Sequence, residues 1–477
     1  MSATVDGAGR AADAPVSATK ARLGRGLILS YGLGELGTAI FIHAPNLLWL
    51  FFLTEVIGLD PTTAGLVILA PMVWDAVTDP AFGVLADRTW TRWGKYVPYL
   101  FLATPFCGLS FVLFFTDPGL AGTTAAWGAL GVAVLFRTLL TLVIVPHNSL
   151  MARATRDSRE RSVLAGSKMF FNALGMVAIA LATRPMLAAE GRGEAGSFAL
   201  FAAVGAVAAT LLLWQCAFAF RRLDGREEAP SAQGAFDLAL ILRTLRTNPY
   251  LWVMVGAGIV GVMLLPAFAK SLLYFAKYNL ADESWGPKGL LAFTGATALA
   301  VPLWGWLGRT REKVTLLRVS HAGLIVSLMM FWVLPDAARG PLLFAVLAVG
   351  AFTGGVNVMT FALLPDVVEA GQARTGRRVE APVFGCFTFA LKVGNGLGAG
   401  LLGLALGLVG FVQGQPVQAP STQFGIETVM TVLPAFGSAA VLFLLRRWDL
   451  THAVHTSLIS SSVSANKRPR AARSHVH

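Results

Sequence analysis

The sequence predicts an all-α membrane protein, with twelve transmembrane helices in two pseudo-symmetric six-helix bundles. Three observations predict it. First, 55% of the residues are hydrophobic and only 13% are charged, where a soluble domain carries about 25% charge. Second, apolar runs of roughly 20 residues, long enough to cross a ~30 Å hydrocarbon layer, recur from about residue 27 to 445. Third, the chain repeats itself. Gly305-Trp306-Leu307-Gly308-Arg309 stands 222 residues after the stretch that begins at Gly83. The same offset carries the start of the first run to about 249 and the basic loop at 153–161 to 375–383, which overlaps the basic stretch Arg374–Arg378.

Taken in order, residues 1–19 are Ala/Ser/Gly-rich, lack an apolar core and read as a disordered N-terminus without a cleavable signal peptide. Residues 20–220 form the first bundle. Its spans lie at about 27–53, 62–85, 97–115, 125–150, 163–183 and 198–220. Residues 221–248 are the one sizeable interior polar stretch, a linker in which Phe236, Leu238, Ile241, Leu242 and Leu245 suggest a short amphipathic surface helix. Residues 249–447 form the second bundle, with spans at about 250–275, 288–307, 315–334, 341–364, 381–411 and 426–445. Residues 448–477 are a Ser-rich, basic, disordered tail. Lys and Arg gather in alternate loops, which puts both termini in the cytoplasm of an inner membrane.

The same pattern excludes other classes. The net charge of +12 comes from short loops between spans, so it sets topology and gives no reason to expect nucleic acid. Cys107, Cys216 and Cys386 are scattered in apolar runs, and the seven histidines form no metal motif. No nucleophile–base set suggests an enzyme or a cofactor. The expected partners are a small-molecule substrate and membrane lipid, and the expected state is a monomer.

The chemistry concentrates in Trp74-Asp75-Ala76-Val77-Thr78-Asp79-Pro80. On a helix Asp75 and Asp79 lie one turn apart, with Thr78 on the same side. An aspartate at mid-membrane costs roughly 2.5–3.5 kcal/mol on insertion scales. Two on one face point to an oxygen-lined site for Na⁺ or H⁺ as coupling ion, with no other metal. Further polar residues in the spans are candidates for substrate contact: Glu35, His43, Asn46, Arg137, Asn148, Lys168, Asn172 and Asn395. Arg137 can clamp an anionic group near the cation site. Lys270, His147 and Asn357 are also polar in apolar surroundings. The plain alternative for each is an interhelical hydrogen bond or a helix-end snorkel, and His147 and Asn148 beside Pro146 can cap a broken helix. Glycines 394, 396, 398 and 400 read as close helix packing.

Gly83…Asp87-Arg88…Arg92…Lys95 resembles the loop between spans two and three of the major facilitator superfamily, which makes Asp87, Arg88 and Arg92 candidate gate residues. The aspartate motif, Tyr31-Gly32-Leu33-Gly34-Glu35, Val145-Pro146-His147-Asn148, Arg159-Glu160-Arg161 and Thr375-Gly376-Arg377-Arg378 resemble the glycoside–pentoside–hexuronide:cation symporter family. The resemblance implies a cation held by Asp75, Asp79, Thr78 and Thr141. It also implies a coupling role for Lys392 and a substrate cavity lined by spans one, four, five, seven, ten and eleven. Where sugar-carrying members have acids on spans one and four, this chain has Ala39 and Ile144. The implied function is cation-coupled symport of a small organic solute, a sugar or glycoside. The alternatives are symport of a lysolipid-like amphiphile, as in the animal lysophosphatidylcholine branch, and an uncoupled facilitator or exporter.

Overall fold

The computed structural model describes residues 23–89, 91–155, 158–187, 193–224, 243, 246–375 and 380–448. Among them, twelve long helices form the fold. They are α1 (Arg25–Val56), α2 (Pro61–Arg88), α3 (Val97–Phe114), α4 (Gly122–Ala154), α5 (Ser158–Leu187) and α6 (Gly193–Asp224) in the first half. The second half has α7 (Pro249–Asn279), α8 (Trp285–Thr310), α9 (Lys313–Val333), α10 (Arg339–Thr375), α11 (Glu380–Leu408) and α12 (Pro420–Leu445). Eleven are long and apolar enough to cross a membrane. The terminal segments and the amphipathic stretch at Phe236–Leu245 lie outside the described residues.

Local sequence explains the helix starts. Asp60 accepts the Thr63 amide at 2.9 Å, and Pro61 opens α2 where a missing N–H costs nothing. Asn248 caps α7 in the same way, ahead of Pro249. Several helices outrun the apolar runs that predict them, α10 most of all, because their last turns project beyond the apolar layer. Pro146 does not break α4, which continues to Ala154. The reading of His147 and Asn148 as caps of a broken helix is therefore corrected.

The repeat is visible in the packing. In the first half α1 packs on α5 and α6, α3 on α4 and α6, and α2 on α4. Six helices later the same pairs recur: α7 on α11 and α12, α9 on α10 and α12, and α8 on α10. The halves meet through α2 with α11, α5 with α8, and α1 with α7. Both α1 and α7 end in a π-helical turn, at Phe52–Val56 and Phe275–Asn279.

The glycines of α11 serve two faces. A Cβ at Gly394 would meet the Ile259 carbonyl at 2.8 Å, and one at Gly398 would overlap Met263, both on α7. A Cβ at Gly396 would meet Met72 at 3.0 Å, and one at Gly403 would overlap the Pro61 carbonyl, both on α2. One glycine face thus holds α11 in its own bundle, and the other seals it against the opposite bundle.

At the end with the basic loops, each half is tied internally. Asp224, fully buried at the end of α6, accepts the Tyr96 and Val97 amides at 2.7 and 2.9 Å. Arg153 lies 3.5 Å from the same carboxylate and donates to the Asp224 carbonyl at 2.6 Å. The second half reverses the chemistry: Arg318 on α9 donates to the carbonyls of Leu445 and Trp448. Asp224→Ala should therefore orphan two amides and remove the carboxylate beside the Arg153 guanidinium, and cost roughly 3–5 kcal/mol. A clear fall in melting temperature in detergent is expected. An unchanged melt would show that this tie does not hold the bundle.

Candidate substrate and cation site

Asp75 stands midway along α2, and its residue is 7% exposed. Arg137 on α4 reaches it, with Nη1 3.3 Å from Oδ2. The other carboxylate oxygen, Oδ1, is buried without a hydrogen-bond partner among the described residues. Lys392 on α11 lies within electrostatic reach of Asp75. Trp74 donates its indole N–H to Thr138 at 2.9 Å, which fixes α2 against α4 beside the aspartate. Thr78 donates its hydroxyl proton to the Trp74 carbonyl at 3.0 Å, so its oxygen keeps lone pairs for a cation. Thr141 is buried one turn from Arg137. The Asp79 side chain lies outside the described residues. The structure thus brings together Asp75, Arg137 and Lys392, and an orphaned carboxylate oxygen fits a hard cation.

A cavity of about 420 Å³ lies between the halves. From the first half it is lined by His43, Asn46, Leu47 and Met176. From the second half it takes residues of α7 to α12, among them Lys270, Asn357, Lys392 and Asn395. It runs from mid-membrane, at Asn46 and Lys270, towards the basic-loop end, at Leu317 and Thr360. A recess of about 20 Å³ adjoins it; Asn46 and Lys270 line both spaces, and Arg137 lines the recess.

Some expected substrate residues point elsewhere. Asn172 donates to Glu35 at 2.9 Å, His147 lies 3.3 Å from Glu35, Lys168 lies 3.8 Å from it, and Lys168 also donates to Asn148. Tyr31 stacks on His147 with ring centroids 4.8 Å apart. These groups satisfy one another between α1, α4 and α5, and none of Glu35, Asn148, Lys168 or Asn172 lines the cavity. Their link to it is His43, whose Nε2 lies 3.2 Å from Asn172 Oδ1. Nor does α4 line the large cavity; through Ala133 and Arg137 it reaches only the recess. In the gate motif, Arg92 is exposed, with its guanidinium 5.3 Å from the centroid of the Trp93 ring. The side chains of Asp87 and Arg88 lie outside the described residues.

Residues not singled out also line the cavity: Thr353, Thr360 and His321. Thr353, Asn357 and Thr360 are spaced i, i+4, i+7, one face of α10. That spacing was the available signal.

The opposite end is closed. Glu55, with its side chain 1% exposed, pairs with Lys277 at 2.7 Å and accepts from Tyr278. Thr54 and Tyr274 share a hydrogen bond of 2.7 Å. Glu55 and Lys277 are 222 residues apart, at equivalent positions of the repeat.

Comparison with known proteins agrees with this architecture. The family model described as MFS/sugar transport protein matches residues 30–452. The chain is 29% identical to the putative glycoside/cation symporter YagG of Escherichia coli (strain K12), over 89% of this chain and 92% of that one. It is 26% identical to the isoprimeverose transporter of Lactiplantibacillus pentosus, over 88% of each chain. The fold resembles a crystal structure of the nucleoside transporter NupG, with a TM-score of 0.59 and 13% identity, over 91% of this chain and 99% of that one. With its family model matched along nearly the whole chain and twelve helices paired in two equivalent bundles, this chain belongs to the MFS/sugar transport protein family, a family of membrane transporters.

Proposed function

We propose that the protein is a symporter that couples uptake of a sugar or glycoside to a Na⁺ or H⁺ gradient by alternating access. The observation that carries this reading is buried Asp75, with one oxygen facing Arg137 and the other without a hydrogen-bond partner among the described residues, beside a cavity between two equivalent bundles. Na⁺ or H⁺ is then a transported substrate, held by Asp75 with Thr78, Thr141 and Asp79. Lys392 competes for the same carboxylate and resets the empty carrier. No cofactor takes part.

The basic loops mark the cytoplasmic side, so both termini face the cytoplasm of an inner membrane and the cavity is open inwards. The closed end with Glu55 and Lys277 is then the outer gate. Cavity and cation site lie within one chain, so a monomer suffices. The names of the relatives above favour a sugar over a lysolipid.

The test is uptake of radiolabelled glycosides into proteoliposomes. Accumulation above the equilibrium level is expected under an inward Na⁺ or H⁺ gradient and not without one. Uptake that ignores both gradients would leave a facilitator in place of a symporter.

A further inference from the structure

The charge around the transport cavity is one-sided. Among the described residues, no carboxylate lines either the 420 Å³ cavity or its recess, while Lys270, Lys392 and Arg137 do. Lys270 is the sharpest case. It is 8% exposed, sits on α7 one turn past Pro266 and lines both spaces. It forms no ion pair with any described carboxylate, and the charge nearest in effect is Arg137, of like sign. Burying an ammonium beside another cation without a counter-charge is strongly unfavourable. Arg137 does have a partner, Asp75, but that carboxylate lies within electrostatic reach of Lys392 as well.

Resting on the reading of this cavity as the substrate site, we infer that the transported solute is an anion, whose negative group docks between Lys270 and Arg137. Its chemistry is that of a polyhydroxy acid or a sugar phosphate. The polyol part meets neutral donors and acceptors: Asn46 next to the recess, then Asn357 and Asn395 across the cavity. A neutral sugar would leave Lys270 desolvated and without a counter-charge among the described residues.

The arrangement also couples the two ligands. An anion that takes the Arg137 guanidinium weakens its hold on Asp75 and frees that carboxylate for the cation. A cation on Asp75 releases Arg137 to the anion by the same factor. Positive cooperativity thus follows from one shared guanidinium.

The test uses purified full-length protein and matched sets of ligands: D-glucose, D-glucuronate and glucose 6-phosphate, then the three galactose counterparts. Binding is read by tryptophan fluorescence and calorimetry, with and without Na⁺ and at two pH values. At least one acid or phosphate should bind tenfold or more tightly than its neutral counterpart. The carboxylate and phosphate arms say which anion is preferred. Lys270→Gln, which removes a buried unpaired charge and so should not harm folding, should erase that preference, and Lys270→Arg should keep it. The inference is overturned if no anion in the sets binds, if a neutral member binds as well as its anion, or if Lys270→Gln retains the preference. Cation-driven accumulation of a neutral sugar would sink the anion and leave the symporter. Anion binding that no cation affects, with uptake that ignores both gradients, would sink the symporter and leave the anion.

Discussion

Asp75→Asn is expected to abolish concentrative uptake, so that internal substrate never exceeds the external level. The argument is electrostatic. A cation at this depth needs a formal negative charge, and an amide supplies only dipoles. The substitution has a second effect, because Asp75 is the counter-charge of Arg137 at 3.3 Å. Removing one member of a buried pair costs about 3–5 kcal/mol, so the single variant should also melt earlier. The two effects separate in Asp75→Asn/Arg137→Gln. That protein should regain thermal stability, because the guanidinium that lost its partner is gone as well, and should still fail to accumulate substrate. Restored accumulation in the double variant would show that Asp75 serves only to hold Arg137. Melting of the double variant below the single one would show that the pair is not the source of the lost stability.

Much of this site was legible in the sequence because charge in an apolar run is conspicuous. Asp75 stood out for that reason, and so did Arg137, Lys392 and Lys270. The repeat announced two bundles, and it predicted where the basic loops recur. What the sequence could not convey was partnership. Glu35, Lys168, Asn172 and Asn148 look like cavity residues one at a time, and only the packing of α1, α4 and α5 shows that they satisfy each other. Thr353, Thr360 and His321 were missed for the opposite reason. Hydroxyls and imidazoles are common between membrane helices, and their exposure to a cavity depends on how the bundles tilt. The closed end escaped for a similar reason. Glu55 and Lys277 each sit in a short loop by sequence, and their pairing appears only when the π-helical ends of α1 and α7 are brought face to face.

That closed end gives the second large effect, a disulfide that stops transport. A Cβ placed on Gly407 would lie 4.0 Å from the Thr62 Cβ, inside the roughly 3.5–4.5 Å span that a disulfide requires. Thr62 is on α2 and Gly407 on α11, so the bond would join the two bundles where they must part if that end opens. Thr62→Cys/Gly407→Cys should cross-link readily on mild oxidation, lose uptake to background, and recover it on reduction. Native Cys107 and Cys216 are buried and should not interfere. Continued uptake in the cross-linked protein would mean that this end never opens. The same pair reports on the ion lock. Lys277→Met takes the counter-charge from the buried Glu55 carboxylate, a penalty of about 3–5 kcal/mol in the closed state, equal to a roughly 200- to 5,000-fold shift towards opening. Cross-linking should then slow, by up to that factor. Because the two residues are equivalent in the repeat, the exchange Glu55→Lys/Lys277→Glu places the same charges across the same axis. It should restore much of the lost cross-linking rate, since the local two-fold symmetry of the π-helical ends presents both side chains to the same gap.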